Sequence, residues 1–275
     1  MNNRPIVIGA VGGSGTRVFA QILQKSDVFI GNELNGALDN LMFSRLFRIP
    51  EFYTDQLDHF TFKRLSLFEK YMTNKKPGIN DLAVMFRCNK NNAYYNNSIR
   101  TYYNLLKPKP ETATWGWKAP LSQLYINALS VYFPHMKYIQ VVRNGLDMAF
   151  SDNVNQLRIW GHLFELEYKD NDKKLPSKLL KYWYHSNKTA IEKGREKLGK
   201  RFLTISFEDL CRYPEKEVPK LIDFLELKVT KKLLEEIITL PKIPKSHQRY
   251  KKQEHSFNNE ELLLIEEIDY MVKTS

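Results

Sequence analysis

Two cysteines, Cys88 and Cys211, stand among 275 residues. They form no metal-ligand spacing and allow at most one bridge, which excludes a disulfide scaffold and favours a reducing compartment. Long hydrophobic runs are missing too. The apolar stretch at 5–11 breaks at glycines and then meets Arg17, so it is neither a signal-peptide core nor a membrane span. The expectation is a soluble, cytoplasmic protein. No internal repeat and no low-complexity linker divides the chain, and its length suits one α/β domain burying roughly 70 to 75% of its unfolded surface. Acidic residues are the scarcer charge: 42 Lys and Arg face 31 Asp and Glu, a formal net charge of +11. That excess suits a polyanionic ligand, a glycan or a membrane surface, and equally a solvated lysine-rich surface. Tyrosines and basic residues interleave at 94–109, yet no nucleic-acid module is legible there, and no nucleic-acid partner is expected.

Strand-like runs occur at 5–11, 28–31, 114–117, 137–142 and 202–206. Helical periodicity marks 16–24, 121–132, 146–160, 176–198, 214–225, 230–240 and 259–272. Strands alternating with helices predict a P-loop-like three-layer α/β fold, with a central parallel sheet of about five strands flanked by helices. Residues 37–112 hold no clear strand and only weak helical pattern at 57–71 and 99–106. They read as a mostly helical insertion after the second strand, placed to form an acceptor-binding wall.

The first strand runs through Gly12, Gly13, Ser14, Gly15, Thr16 and Arg17 into a helix. Glycines let the backbone turn tightly and approach a ligand, the two hydroxyls add donors, and the helix presents free N–H groups, so the loop fits a phosphate or sulfate. A nucleoside-triphosphate loop would put Lys-Ser or Lys-Thr after the last glycine; Thr16 and Arg17 stand there instead, which leaves the loop poorly equipped for magnesium and ATP. A second anion motif follows the strand at 137–142, where Arg143 comes at the strand end and Ser151 about two helical turns, roughly 9 Å, further on. Both can grip one phosphate.

A glycine-hydroxyl loop near the start, with Arg-x-x-x-Asp-x-x-x-Ser after a later strand, resembles the two cofactor motifs of sulfotransferases that use 3′-phosphoadenosine 5′-phosphosulfate. Three further stretches fit the same family: the Lys-x-Pro segment at 118–120, the strand leading into Phe207-Glu208-Asp209-Leu210, and the late basic run Gln248-Arg249-Tyr250-Lys251. The tyrosylprotein, carbohydrate and bacterial branches are nearer than the cytosolic small-molecule branch, whose base is a histidine; none stands between Trp117 and Pro120. The resemblance implies that the loop from Gly12 to Arg17 holds the 5′-phosphosulfate. It implies that Arg143 and Ser151, with Arg249 and Lys251, hold the 3′-phosphate.

Most members carry Lys or Arg where this chain has Gly13, so the charge at the leaving oxygen falls to Lys118 or Arg17. Glu33, just after the second strand-like run, is the expected base, and His59 the reserve. The implied reaction is in-line transfer of a sulfuryl group to a hydroxyl or amine on a glycan, phenol, tyrosine peptide or lipid. It releases 3′,5′-adenosine bisphosphate and requires no metal. Two alternatives share the strand, loop and helix: a P-loop nucleotide kinase or phosphotransferase, and a catalytically silent anion- or glycan-binding relative.

Overall fold

The computed structural model describes residues 4–91, 98–110 and 114–274. Four parallel strands, β1 (Ile6–Ala10), β2 (Gly116–Lys118), β3 (Lys137–Val142) and β4 (Phe202–Ser206), form one sheet in the order β2-β1-β3-β4. Helices, in chain order, are α1 (Arg17–Lys25), α2 (Leu41–Phe47), α3 (His59–Met72), α4 (Ile79–Asn91), α5 (Ser98–Leu106), α6 (Ile126–Tyr132), α7 (Gly145–Ala149) and α8 (Asn155–Trp160). Then come α9 (Leu175–Leu198), α10 (Phe207–Arg212), α11 (Pro214–Leu225), α12 (Lys231–Ile238) and α13 (Asn259–Lys273).

Parallel strands covered on both faces must be apolar on both, and β1 is buried at all five positions. Its side chains alternate between two cores. Ile6, Ile8 and Ala10 join Ile139, Val141 and Ile205 beneath α1, α11 and α12, while Val7 and Val11 join Trp117, Tyr138 and Val142 beneath α2, α3, α6 and α9. Because every strand runs the same way, the carboxyl ends of β1, β2 and β3 reach one edge. The loops that follow them meet there.

The sheet has four strands rather than about five. At 28–31 only Phe29 pairs, donating to Thr114 O (3.2 Å) and accepting from Gly116 N (2.9 Å), before Gly31 at φ 114° turns the chain away. The stretch at 146–160 is not one helix either. Ser151 Oγ accepts from Asn153 N (3.2 Å) and Asn153 Oδ1 from Asn155 N (3.4 Å), so side chains replace backbone acceptors and the helix breaks between α7 and α8. Ser151 therefore lies just past α7, not two turns into a helix. The stretch at 121–132 opens as a 3₁₀ turn, Pro120–Tyr125, before α6. The described part of 37–112 holds α2 to α5. Tyr102 and Tyr103 are exposed on α5, whereas Tyr94, Tyr95 and Thr112 lie outside the described residues. No helix among the described residues is long and apolar enough to cross a membrane.

The loop entering α2 is fastened through Asn40, which is fully buried. Its Oδ1 caps α2 by accepting from Phe43 N (2.9 Å), its Nδ2 donates to Ile30 O (3.0 Å), and its backbone N–H donates to Lys118 O (2.8 Å). Asn40→Ala removes a cap and leaves a buried carbonyl unpaired, and is expected to cost about 2 kcal/mol in denaturant unfolding. A loss under about 0.5 kcal/mol would show that the loop is held elsewhere.

Candidate active site

The loop after β1 is shaped by its glycines. Gly13 and Gly15 sit at φ 99° and 79°, and a Cβ on Gly15 would lie 2.2 Å from the Phe207 ring. Backbone of that kind favours glycine. Gly12 N–H donates to Gln156 Oε1 (2.8 Å), and Ser14 N–H closes a turn onto Val11 O (3.2 Å). The Ser14 side chain is wholly buried, and among the described residues its Oγ has no hydrogen-bond partner. A buried hydroxyl without a partner, beside the N-terminus of α1, is what a loop built for an anion presents.

Arg143 follows β3 and reaches across to this loop. Its Nη1 donates to Gly13 O (2.9 Å) and its Nη2 to Ser246 O (3.1 Å) and Oγ (2.9 Å). Ser151 Oγ lies 3.3 Å from where a Gly13 Cβ would stand, so arginine, serine and loop lie side by side. Burial lowers the Arg143 pKa, and the neighbouring Arg249 guanidinium lowers it further. Two adjacent arginines with buried Nε groups lacking partners among the described residues suit a polyanion. Arg249 also donates to Phe150 O (3.3 Å); Lys251 is exposed on the short 3₁₀ turn Arg249–Lys252.

Asp147, Glu208 and His247 bring ligand atoms within 4.8 Å of one another, the one such group among the described residues. Their carboxylates are engaged in holding Arg143's surroundings. Glu208 accepts from Asn144 N (3.0 Å), and Asp147 accepts from Gln248 N (2.9 Å) and lies 3.8 Å from Arg143 Nη2. Burial raises the Glu208 pKa.

Lys118 ends β2, is 2% exposed, and forms an ion pair with Asp39. Burial lowers its pKa; Asp39 opposes that shift, and Arg17 adds to it. Lys118, Arg17, Gly12, Gly13, Thr16 and Asp39 all border one cleft of about 610 Å³. A second cavity of about 560 Å³ adjoins it, sharing Gly12, Ala37, Asp39, Pro120 and Asn153 as walls and adding Ser44 and Arg48 of the insertion.

Glu33 borders neither of these spaces. It is 4% exposed, with both oxygens engaged by Arg45 (Nη2 to Oε1, 2.7 Å) and Oε2 also accepting from Asn104 Nδ2 (2.8 Å). His59 is exposed at the first position of α3 and borders neither space. Asp39 and Gln156, which the sequence pattern does not single out, also border these spaces; an acidic residue six positions after Glu33 in the same loop is the available signal.

The profile described as "Sulfotransferase family" matches residues 5–231. This chain belongs to the sulfotransferase family. Among solved structures, the sulfotransferase domain from the Synechococcus PCC 7002 olefin synthase is similar at 17% identity and a TM-score of 0.52, covering 98% of this chain and 96% of that one. The sulfotransferase domain from the curacin biosynthetic pathway gives 13% identity and 0.51, over 97% and 98%. A Mycobacterium avium sulfotransferase gives 14% and 0.50, over 99% and 76%. At these identities they establish the shared fold alone. No curated protein matches by sequence.

In this sulfotransferase the loop's shape depends on glycine at one position above all. Gly15→Ala is expected to cost about 2 kcal/mol or more in urea unfolding, because the methyl strikes Phe207 and the backbone is strained. Gly36→Ala, whose Cβ would meet nothing within 4 Å, should stay within about 0.5 kcal/mol of wild type. Equal effects would contradict the assigned loop geometry.

Proposed function

We propose that this sulfotransferase moves a sulfuryl group from 3′-phosphoadenosine 5′-phosphosulfate to a hydroxyl or amine of an acceptor by in-line transfer, releasing 3′,5′-adenosine bisphosphate. The observation that carries this reading is the convergence at one sheet edge of the glycine loop, Arg143 with Ser151, and the buried cation Lys118. When bound, the donor supplies an activated sulfuryl group on a phosphate leaving group. The loop N–H groups of Gly13, Gly15 and Thr16, with the Ser14 and Thr16 hydroxyls, hold its 5′ end, while those of Gly12 and Ser14 shape the loop through Gln156 and Val11. Arg143, Ser151 and Arg249, with Lys251 at the rim, hold the 3′-phosphate, each charged contact being stronger than a neutral one.

Lys118 places positive charge where the bridging oxygen leaves, and Arg17 on the first turn of α1 adds to it. Electrostatic stabilisation of that kind acts most strongly in a water-poor site, and Lys118 is nearly inaccessible to solvent. A sulfuryl group bears a single negative charge, so these cations and the loop meet the demand without a metal in this mechanism. The second cavity, walled partly by the insertion, receives the acceptor. The resemblance implies Glu33 as the base, but its carboxylate is held by Arg45 and Asn104 and borders neither space.

A screen of labelled sulfuryl transfer onto glycans, phenols and tyrosine peptides tests this function; transfer to none of them would contradict it. Arg143→Ala is expected to weaken binding of 3′,5′-adenosine bisphosphate by about 1.5 to 3 kcal/mol, with unchanged affinity as the contrary result. Lys118→Ala should lower turnover while leaving that binding largely intact. Because burial lowers the Lys118 pKa, its protonated form persists at lower pH and is lost as pH rises, before an ordinary lysine would titrate. Turnover should therefore show an alkaline limb that is absent from the residual activity of Lys118→Ala. An identical limb in both would move the leaving-group role to Arg17.

A further inference from the structure

We infer that Asp39 takes the proton from the attacking acceptor group, and that Glu33 with Arg45 instead fastens the loop that carries Asp39. This rests on the sulfuryl-transfer reading and assigns its base. Position is the first argument. Among the described residues, two carboxylates border the second cavity, Asp39 and Asp152, and only Asp39 also borders the donor cleft. An acceptor group in the second cavity that attacks a sulfur in the first must pass this shared wall.

The loop is built to present that side chain. Asn35 Oδ1 accepts from the N–H groups of Ala37 and Asp39 (2.9 Å each), Leu38 N–H bonds to Asn35 O (2.9 Å), and Leu34 bridges Asn40 in antiparallel fashion. Asn35 Nδ2 donates to Asp39 Oδ2 (2.8 Å), while Oδ1 faces the Lys118 ammonium. Glu33 is equally well held, but by Arg45 and Asn104, neither of which borders the cleft.

The partners make the difference. Lys118 faces the donor site, so a leaving oxygen that gathers negative charge competes with Asp39 for the ammonium. As that contact shifts, the Asp39 oxygen that faced the ammonium is freed to accept the acceptor's proton at the moment it must leave. In the step itself the acceptor oxygen–sulfur bond forms as the sulfur–bridging oxygen bond breaks. The acceptor proton passes to the Asp39 carboxylate, and the electron pair of the broken bond stays on the phosphate beside Lys118. Arg45 has no such competitor among the cleft residues.

The test, run at about pH 8.5, compares two acceptors of labelled sulfuryl: an alkyl or sugar hydroxyl, which must lose a proton, and 4-nitrophenol, which is largely ionised at that pH. Asp39→Asn is expected to lower kcat on the hydroxyl acceptor by about 10²- to 10³-fold, with donor KM within about threefold of wild type. On 4-nitrophenolate the loss should be less than about tenfold, and Asp39→Glu should recover much of the hydroxyl activity. Retained thermal stabilisation by 3′,5′-adenosine bisphosphate shows that the variant folds with its donor site intact. Equal losses on both acceptors would mean that Asp39 merely positions Lys118, and undiminished turnover would return the role to Glu33; either result overturns the proposal. A wild-type protein that labels no acceptor would instead sink the sulfuryl-transfer reading, and this inference with it.

Discussion

The hydrogen bond from Arg143 to the Gly13 carbonyl ties the two halves of the proposed donor site together. It links the end of β3 to the loop after β1 across 130 residues of chain. A buried guanidinium is tolerated only where its donors and its charge are met, and the surrounding structure meets them. Asp147 stands one helical turn on, and Trp183 of α9 fixes the Arg143 backbone through its indole N–H (3.0 Å). Glu208 fixes the next residue through Asn144 N–H, and Ser246 brings the late basic loop down onto the same guanidinium. Trp183, Glu208 and Ser246, from three later segments, thus all meet the backbone or side chain of residues 143 and 144.

A second charge constraint shapes the neighbouring edge. With φ at 99° and Ser151 close by, position 13 disfavours any larger residue, so the loop carries no cation of its own there. Positive charge comes from the end of β2 instead. Burying Lys118 costs free energy unless it is paired, and Asp39 supplies the pairing. The same pair that makes the buried lysine tolerable also sets a carboxylate on the wall shared by the two cavities. Its stability and the proposed chemistry draw on one contact.

Much of the fold was legible because its signals are local. The strands at 137–142 and 202–206 and the helix at 214–225 were read to the residue, since apolar runs and proline starts reflect burial and backbone geometry directly. That Arg143 and the glycine loop reach the same sheet edge follows from each coming directly after a parallel strand, but the hydrogen bond between them is a tertiary contact. What was missed depends on tertiary contact. Phe29 looks like part of a strand until the turn at Gly31 ends its pairing; α2 hides its amphipathicity because Ser44 and Arg45 are buried along with its apolar residues. Asp39 resembles any loop carboxylate until Lys118, 79 residues later, arrives beside it. Glu33 had the right place in sequence, but Arg45 and Asn104 were invisible to a linear reading.

The measurement that bears most directly on the account is a calorimetric titration of 3′,5′-adenosine bisphosphate against adenosine 5′-monophosphate and ATP with magnesium. If Arg143, Ser151 and Arg249 hold a 3′-phosphate beside a loop that holds the 5′ end, the bisphosphate should bind at least about tenfold more tightly than either competitor, the scale of one charge-assisted contact. Equal affinity for the monophosphate, or preference for ATP with magnesium, would contradict the proposed donor site.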